Sequence, residues 1–153
     1  QGKKGLAMRY ILIKTLAKKC GDNVSFHPCV YIFHPGNIEL GDIVSIHPMC
    51  YIEPGNGKIQ IGDNVSIAHG VTILAETHRY SDLNLNIKDQ GVESAYTIIE
   101  NNVWIGAKAT ILINKRIEEG AIVGANTLVT KNVTKNSVVG GVPNKVIKVR
   151  GKI

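Results

Sequence analysis

The sequence predicts an all-β fold, a parallel β-helix wound from hexapeptide units, and three of its features carry that expectation. Apolar residues recur every six positions, each set of three opens on a polar corner, and one long polar excursion interrupts the pattern. Leu40, Ile46 and Ile52 form one set; Ile61, Ile67 and Ile73 the next; then Ile99, Ile105 and Ile111; then Ile117, Val123 and Val129. Cys20, Phe26 and Ile32 make an earlier, weaker set, for about five coils. A fixed short period outranks residue-by-residue propensity, because such units are stable only when stacked on their neighbours.

The coils open alike, with Cys-Gly-Asp-Asn at Cys20, Leu-Gly-Asp-Ile at Leu40, Ile-Gly-Asp-Asn at Ile61, Ile-Glu-Asn-Asn at Ile99 and Ile-Glu-Glu-Gly at Ile117. Gly, Asp and Asn tolerate the positive φ that a tight corner needs. Beyond each corner, Val24, Val44, Val65, Val103 and Ala121 supply a second inward side chain. A sandwich of alternating strands would instead repeat every two residues between turns spaced by about 8–12.

The third hexad weakens, with Gly36, Asn56, Thr77 and Lys115 where a small apolar residue belongs, so the chain is expected to leave the coil there. The largest departure falls between Ile73 and Ile99, where segment 79–98 reads as a long loop of the kind that is usually functional. Ahead of the repeats, 6–19 reads as a short amphipathic helix capping the open bore. The expected organisation is a helical cap over 1–19 and a β-helix domain over 20–153, which carries the loop and a basic C-terminal segment.

The net charge of +6 resides at the chain ends, in Lys3, Lys4, Arg9, Lys14, Lys18 and Lys19 and again in Lys131, Lys135, Lys145, Lys148, Arg150 and Lys152. Aromatic residues make up only 5%, too few for the stacking platforms of a single-strand nucleic-acid binder, so no nucleic-acid partner is expected. Cys20, Cys29 and Cys50 form no C-x-x-C pair, which argues against both a disulfide framework and a thiolate zinc site and fits a reducing, cytoplasmic setting. The apolar stretch 6–17 is broken by Arg9 and Lys14 and is too short to span a bilayer.

Residues 61–78 and 99–150 resemble the hexapeptide-repeat acyltransferases, above all galactoside, maltose and bacterial polysaccharide O-acetyltransferases. The resemblance rests on Ile-Gly-Asp-Asn-Val-Ser-Ile at 61–67, Glu-Thr-His at 76–78, Asn-Asn-Val-Trp-Ile-Gly-Ala at 101–107, Val-Gly-Ala-Asn at 123–126, Val-Thr-Lys at 129–131 and Gly-Val-Pro-Asn-Lys-Val-Ile at 141–147. It implies left-handed coiling, acetyl-CoA as acyl donor, and a homotrimer with sites between subunits.

Moving acetyl from a thioester to a hydroxyl requires a base, and imidazole, with an unperturbed pKa near 6.5, suits neutral pH. His78 stands at the start of the long loop and matches the family's catalytic histidine. By the same resemblance the oxyanion donor is the amide of Ala107, while Trp104, Ala125, Thr130 and Lys131 border the coenzyme A channel. Lys145 and Lys148 stand where relatives carry arginines for the cofactor's phosphates, and Arg150 adds a third cation. Two acceptor positions of the sugar enzymes fall on Pro48 and Asn56, which do not match, so the acceptor need not be a simple galactoside.

Loop 79–98 offers polar groups for a hydroxylated acceptor, and Glu76, Tyr80 and Asp82 are the acceptor-side candidates, with Glu76 or Asp82 also available to orient His78. His27 and His47, each followed by proline, look like a stacked corner feature, and His34 and His69 are isolated, so no metal is expected. The expected activity is O-acetylation of a sugar hydroxyl in surface-polysaccharide synthesis. Alternatives are a xenobiotic or nucleotide-sugar N-acetyltransferase of the same fold, a γ-type carbonic anhydrase, or a non-catalytic β-helix.

Overall fold

Every one of the fifteen predicted hexad starts lies in a strand, and they stack in register from coil to coil. The computed structural model describes residues 2–151; Lys152 lies outside them. The first face stacks Lys19–Cys20, Ile38–Leu40, Lys58–Ile61, Tyr96–Ile99 and Arg116–Ile117 in parallel. The second stacks Ser25–Phe26, Ser45–Ile46, Ser66–Ile67, Trp104–Ile105, Ile122–Val123 and Ser137–Gly140. The third stacks Tyr31–Ile32, Tyr51–Glu53, Thr72–Leu74, Thr110–Ile111 and Leu128–Val129. Beyond the five predicted triplets the ladder continues, with Val133 bridging to Ile117 and Val139 paired with Val123.

Hydrophobic burial drives this stacking. Ile46, Ile67, Ile73, Ile99, Ile105, Ile111 and Ile117 are fully buried, each contributing about 1.5–3 kcal/mol relative to exposure. The second inward set, Val24, Val44, Val65, Val103 and Ala121, is buried as well. The corner motif has its own logic. The Asp22 N–H donates to Asp42 Oδ1 (2.7 Å), Asp42 N–H to Asp63 Oδ1 (2.8 Å) and Asp63 N–H to Asn101 Oδ1 (2.8 Å), so each corner side chain satisfies a backbone donor one coil away. Asn23, Asn64 and Asn102 take the positive φ beside it.

Two boundaries differ from the sequence expectation. The N-terminal helix, α1, spans Lys3–Leu16 rather than 6–19, because Lys19 and Cys20 are drawn into the first face by pairing with Glu39 and Leu40. It seats Ile13 against the core, while Arg9 Nε donates to the Phe26 carbonyl (2.6 Å) and Lys14 pairs with Asp22 (2.6 Å). The excursion is shorter than 79–98, since Tyr96–Ile99 pairs with Lys58–Ile61 and is already coil. Lys145–Val149 is a strand that pairs antiparallel with Ser137–Gly140, which folds the basic segment back onto the second face.

At the corner after the third face, the degenerate hexads behave differently from one another. Gly36 sits in a short 3-10 turn, Asn56 in a tight turn and Lys115 just after a bend at 113–114; only Thr77 lies where the chain leaves the prism.

Candidate active site

The excursion is a hairpin. Strand Glu76–His78 pairs antiparallel with Val92–Ser94, matching Glu76 with Ser94, Thr77 with Glu93 and His78 with Val92. Gly91, at φ 77, turns the chain back, and the Arg79 N–H donates to its carbonyl (3.1 Å). Gln90 organises the tip: its Oε1 accepts from the Asp82 N–H, and its Nε2 donates to the carbonyls of Asp82 and Leu85. Asp82 Oδ1 in turn accepts from the Asn84 N–H (2.8 Å). Polar turn residues therefore hold a segment with no core of its own.

Glu76 ties the hairpin base to the prism. Its Oε2 accepts from the Asn56 N–H (2.9 Å), Asn56 Nδ2 (3.0 Å) and Ser94 Oγ (2.8 Å). These bonds, led by the Asn56 backbone amide, hold its carboxyl below the usual carboxylate range. Gly55 is required beneath it: φ is 55, and a Cβ would stand 2.5 Å from Glu76 Cδ. Because opposed residues of an antiparallel pair share a side, Glu76, Ser94 and His78 face one way and Thr77 and Glu93 the other. His78 is exposed, and among the described residues its ring forms no hydrogen bond with Glu76 or Asp82.

Thr77 and Glu93 look into a cleft of about 350 Å³, closed by Leu74, Tyr80, Leu112, Ile113, Asn114, Lys115 and Thr130. A second cleft, about 360 Å³, lies over the second face between Trp104, Ser66, Ile122 and Arg150. Trp104 is half exposed there, and Arg150 Nη1 donates to the Gly120 carbonyl (2.6 Å). Ala107 is at the corner joining second and third faces; its carbonyl accepts from the Asn126 N–H (2.9 Å), and among the described residues its own N–H has no acceptor. His69 and Ala125 share that open amide, and Pro28 and Pro48 hold the same corner position in earlier coils, where a donor is dispensable. Lys131, Lys145 and Lys148 are exposed, and Thr130 is half-buried.

Asn144 is the residue that sequence reasoning passed over. Buried at 8% exposure, its Oδ1 accepts from the Thr130 N–H (2.9 Å) and the Lys131 N–H (3.2 Å), while Nδ2 donates to the Lys131 carbonyl (3.2 Å). It clasps the strand bearing Lys145 and Lys148 to the turn bearing Thr130 and Lys131. Its place beside Pro143 in the C-terminal string was the available signal.

A hexapeptide-repeat profile, that of succinyl-transferases, matches residues 96–131. Galactoside O-acetyltransferase of Escherichia coli K12 is 32% identical over 142 residues, spanning 92% of this chain and 68% of that protein. The chain belongs to the hexapeptide-repeat acetyltransferases. A solved galactoside acetyltransferase in complex with coenzyme A superposes with a TM-score of 0.87 at 30% identity, covering 97% of this chain and 73% of the other. A putative lipopolysaccharide-biosynthesis O-acetyl transferase of E. coli K12, WbbJ, is 33% identical over 76% of this chain and 60% of its own length. As a member of this family the protein is an acyltransferase. Its family-matching strings map onto the hairpin base, the open corner amide and the C-terminal clasp described above.

Proposed function

We propose that the protein is an acetyl-CoA-dependent O-acetyltransferase acting on a sugar hydroxyl, with His78 as general base. One observation carries this reading: the imidazole of the hairpin is exposed on a strand whose base is pinned by Glu76, at the one place among the described residues where the prism opens into a long excursion. A base must be accessible to substrate, and His78 is; its strand is anchored through Glu76, while the ring itself is left free to meet an acceptor hydroxyl. The relatives named above as galactoside and lipopolysaccharide O-acetyl transferases support the substrate class.

In the proposed reaction His78 takes the proton of the attacking hydroxyl, the oxygen adds to the thioester carbonyl, and the Ala107 N–H receives the oxyanion. Collapse expels coenzyme A as thiolate, which regains the proton from His78. Trp104 and Ala125 border the thioester arm in this reading, with Thr130 and Lys131 further along it. Lys145, Lys148 and Arg150 face the cofactor's phosphates as charge-assisted donors. The candidate groups are divided between surfaces: His78 on one side of the hairpin, Thr130 in the cleft on the other, and Trp104 with Arg150 over the second face. That division favours a site completed between copies, and we infer a left-handed homotrimer. A surface-polysaccharide precursor is the acceptor class we favour, made in the cytoplasm.

The test is release of free thiol from acetyl-CoA across a panel of sugars and amino sugars. His78→Ala is expected to lower turnover by roughly 10²–10⁴-fold with thermal stability unchanged, the usual worth of a positioned base. Near-normal turnover in a folded His78→Ala protein would remove the assignment.

A further inference from the structure

The outward positions of the third face are aromatic at one end. Tyr31 and Tyr51 are register partners, with Ile32 and Ile52 turned inward, and Phe33 follows Ile32 at the strand's edge. The Phe33 and Tyr51 rings lie 5.1 Å apart, tilted by 41°. Tyr31 is 57% exposed, Phe33 41% and Tyr51 38%. The same face continues with Thr72 and Thr110 in the next coils, so nothing in the coil itself calls for rings here.

Polar groups adjoin these rings on the side nearer the hairpin. His34 Nδ1 is 3.1 Å from Glu53 Oε1, which also accepts from the Gly55 N–H (2.9 Å). The next residue, Asn56, donates to Glu76, and His78 lies two residues along that strand on the same side. The rings stand on the third face, and the corner that ends this face carries the acid–imidazole pair, then Asn56, then the hairpin strand bearing the candidate base. A pyranose needs this combination, since its C–H face stacks on an aromatic ring while its rim hydroxyls take and give hydrogen bonds.

We infer that Tyr31, Phe33 and Tyr51 form a stacking subsite for a further sugar ring of the acceptor, flanked by His34 and Glu53. The acceptor is then an oligosaccharide chain rather than a free monosaccharide. The inference rests on the reading of His78 as the base, and its test separates the two.

Saturation-transfer NMR with lactose and with maltotriose, without donor, reads the subsite directly. The wild-type protein is expected to saturate the C–H protons of one sugar face. A Phe33→Ala, Tyr51→Ala double variant is expected to bind about 3- to 10-fold more weakly, the scale of one lost aromatic contact, while Tyr51→Phe keeps the affinity. Absence of binding of both sugars by the wild type, or unchanged binding by the double variant, overturns the subsite. A change of oligomeric state in the double variant, measured by light scattering, assigns the rings to a second copy and overturns it too. Thiol release from acetyl-CoA is measured in parallel with the same sugars. Sugar binding that depends on the rings, with no thiol release for any sugar or amino sugar of the panel, sinks the reading of His78 as base for a sugar hydroxyl and leaves a glycan site standing.

Discussion

The prism and the hairpin are built from the same chain by opposite means. Along the prism from Leu40 to Val129 the hexad starts are apolar and enclosed, and each coil borrows its stability from the next. Across 79–91 the residues are exposed or nearly so: Leu83 is 95% exposed, Tyr80 71% and Ile87 58%. What holds the hairpin is a handful of hydrogen bonds centred on Glu76 and Gln90. The prism can therefore be rigid without being reactive, while the hairpin can present polar groups because it has given up a core.

This contrast is tested most severely by cutting side chains in each part. Ile105→Ala, in the bore, should cost about 2–5 kcal/mol through lost burial and an unfilled cavity. Leu83→Ala, at the hairpin tip, should stay within about 0.5 kcal/mol. Denaturant unfolding of both variants measures the difference, and comparable losses would mean that the hairpin packs against something beyond this chain.

A smaller effect is expected at the C-terminal clasp. Asn144→Ala leaves the partly buried N–H groups of Thr130 and Lys131 without their acceptor, at a cost of about 1–3 kcal/mol. Hydrogen exchange should show the loss confined to the turn at 130–131 and strand Lys145–Val149, with the middle coils unmoved. Uniform loosening would show that the clasp belongs to the cooperative core.

The subtlest effect concerns pH. Hydrogen bonding lowers the Glu76 pKa from 4.5 in the folded protein, so its contribution is complete above the unfolded value and is lost as pH falls through the folded one. As pH falls below the ordinary carboxylate range, the Asn56 amide resonance of the wild type should therefore move as Glu76 protonates and its acceptor weakens. Glu76→Gln should show no such titration at Asn56, and an unchanged acid shift in that variant would assign it to another group.

The sequence by itself was enough for the prism. Hexads from Cys20 to Val129, the Gly-Asp-Asn corners and the place where the chain departs were all readable, because burial with a strict period leaves a one-dimensional trace. His78 could be named as a candidate from Glu-Thr-His and its position, since both are local. The tertiary structure alone decided what depends on residues far apart in the chain. Strand pairing drew Lys19 and Cys20 out of the helix and Tyr96–Ile99 out of the loop. It turned Glu76 toward Asn56 and Ser94 rather than toward His78, brought Asn144 onto Thr130 and set Phe33 against Tyr51. Periodic burial repeats along the chain and can be counted, whereas a hydrogen bond between residues 14 or 20 apart exists only once the coils are stacked.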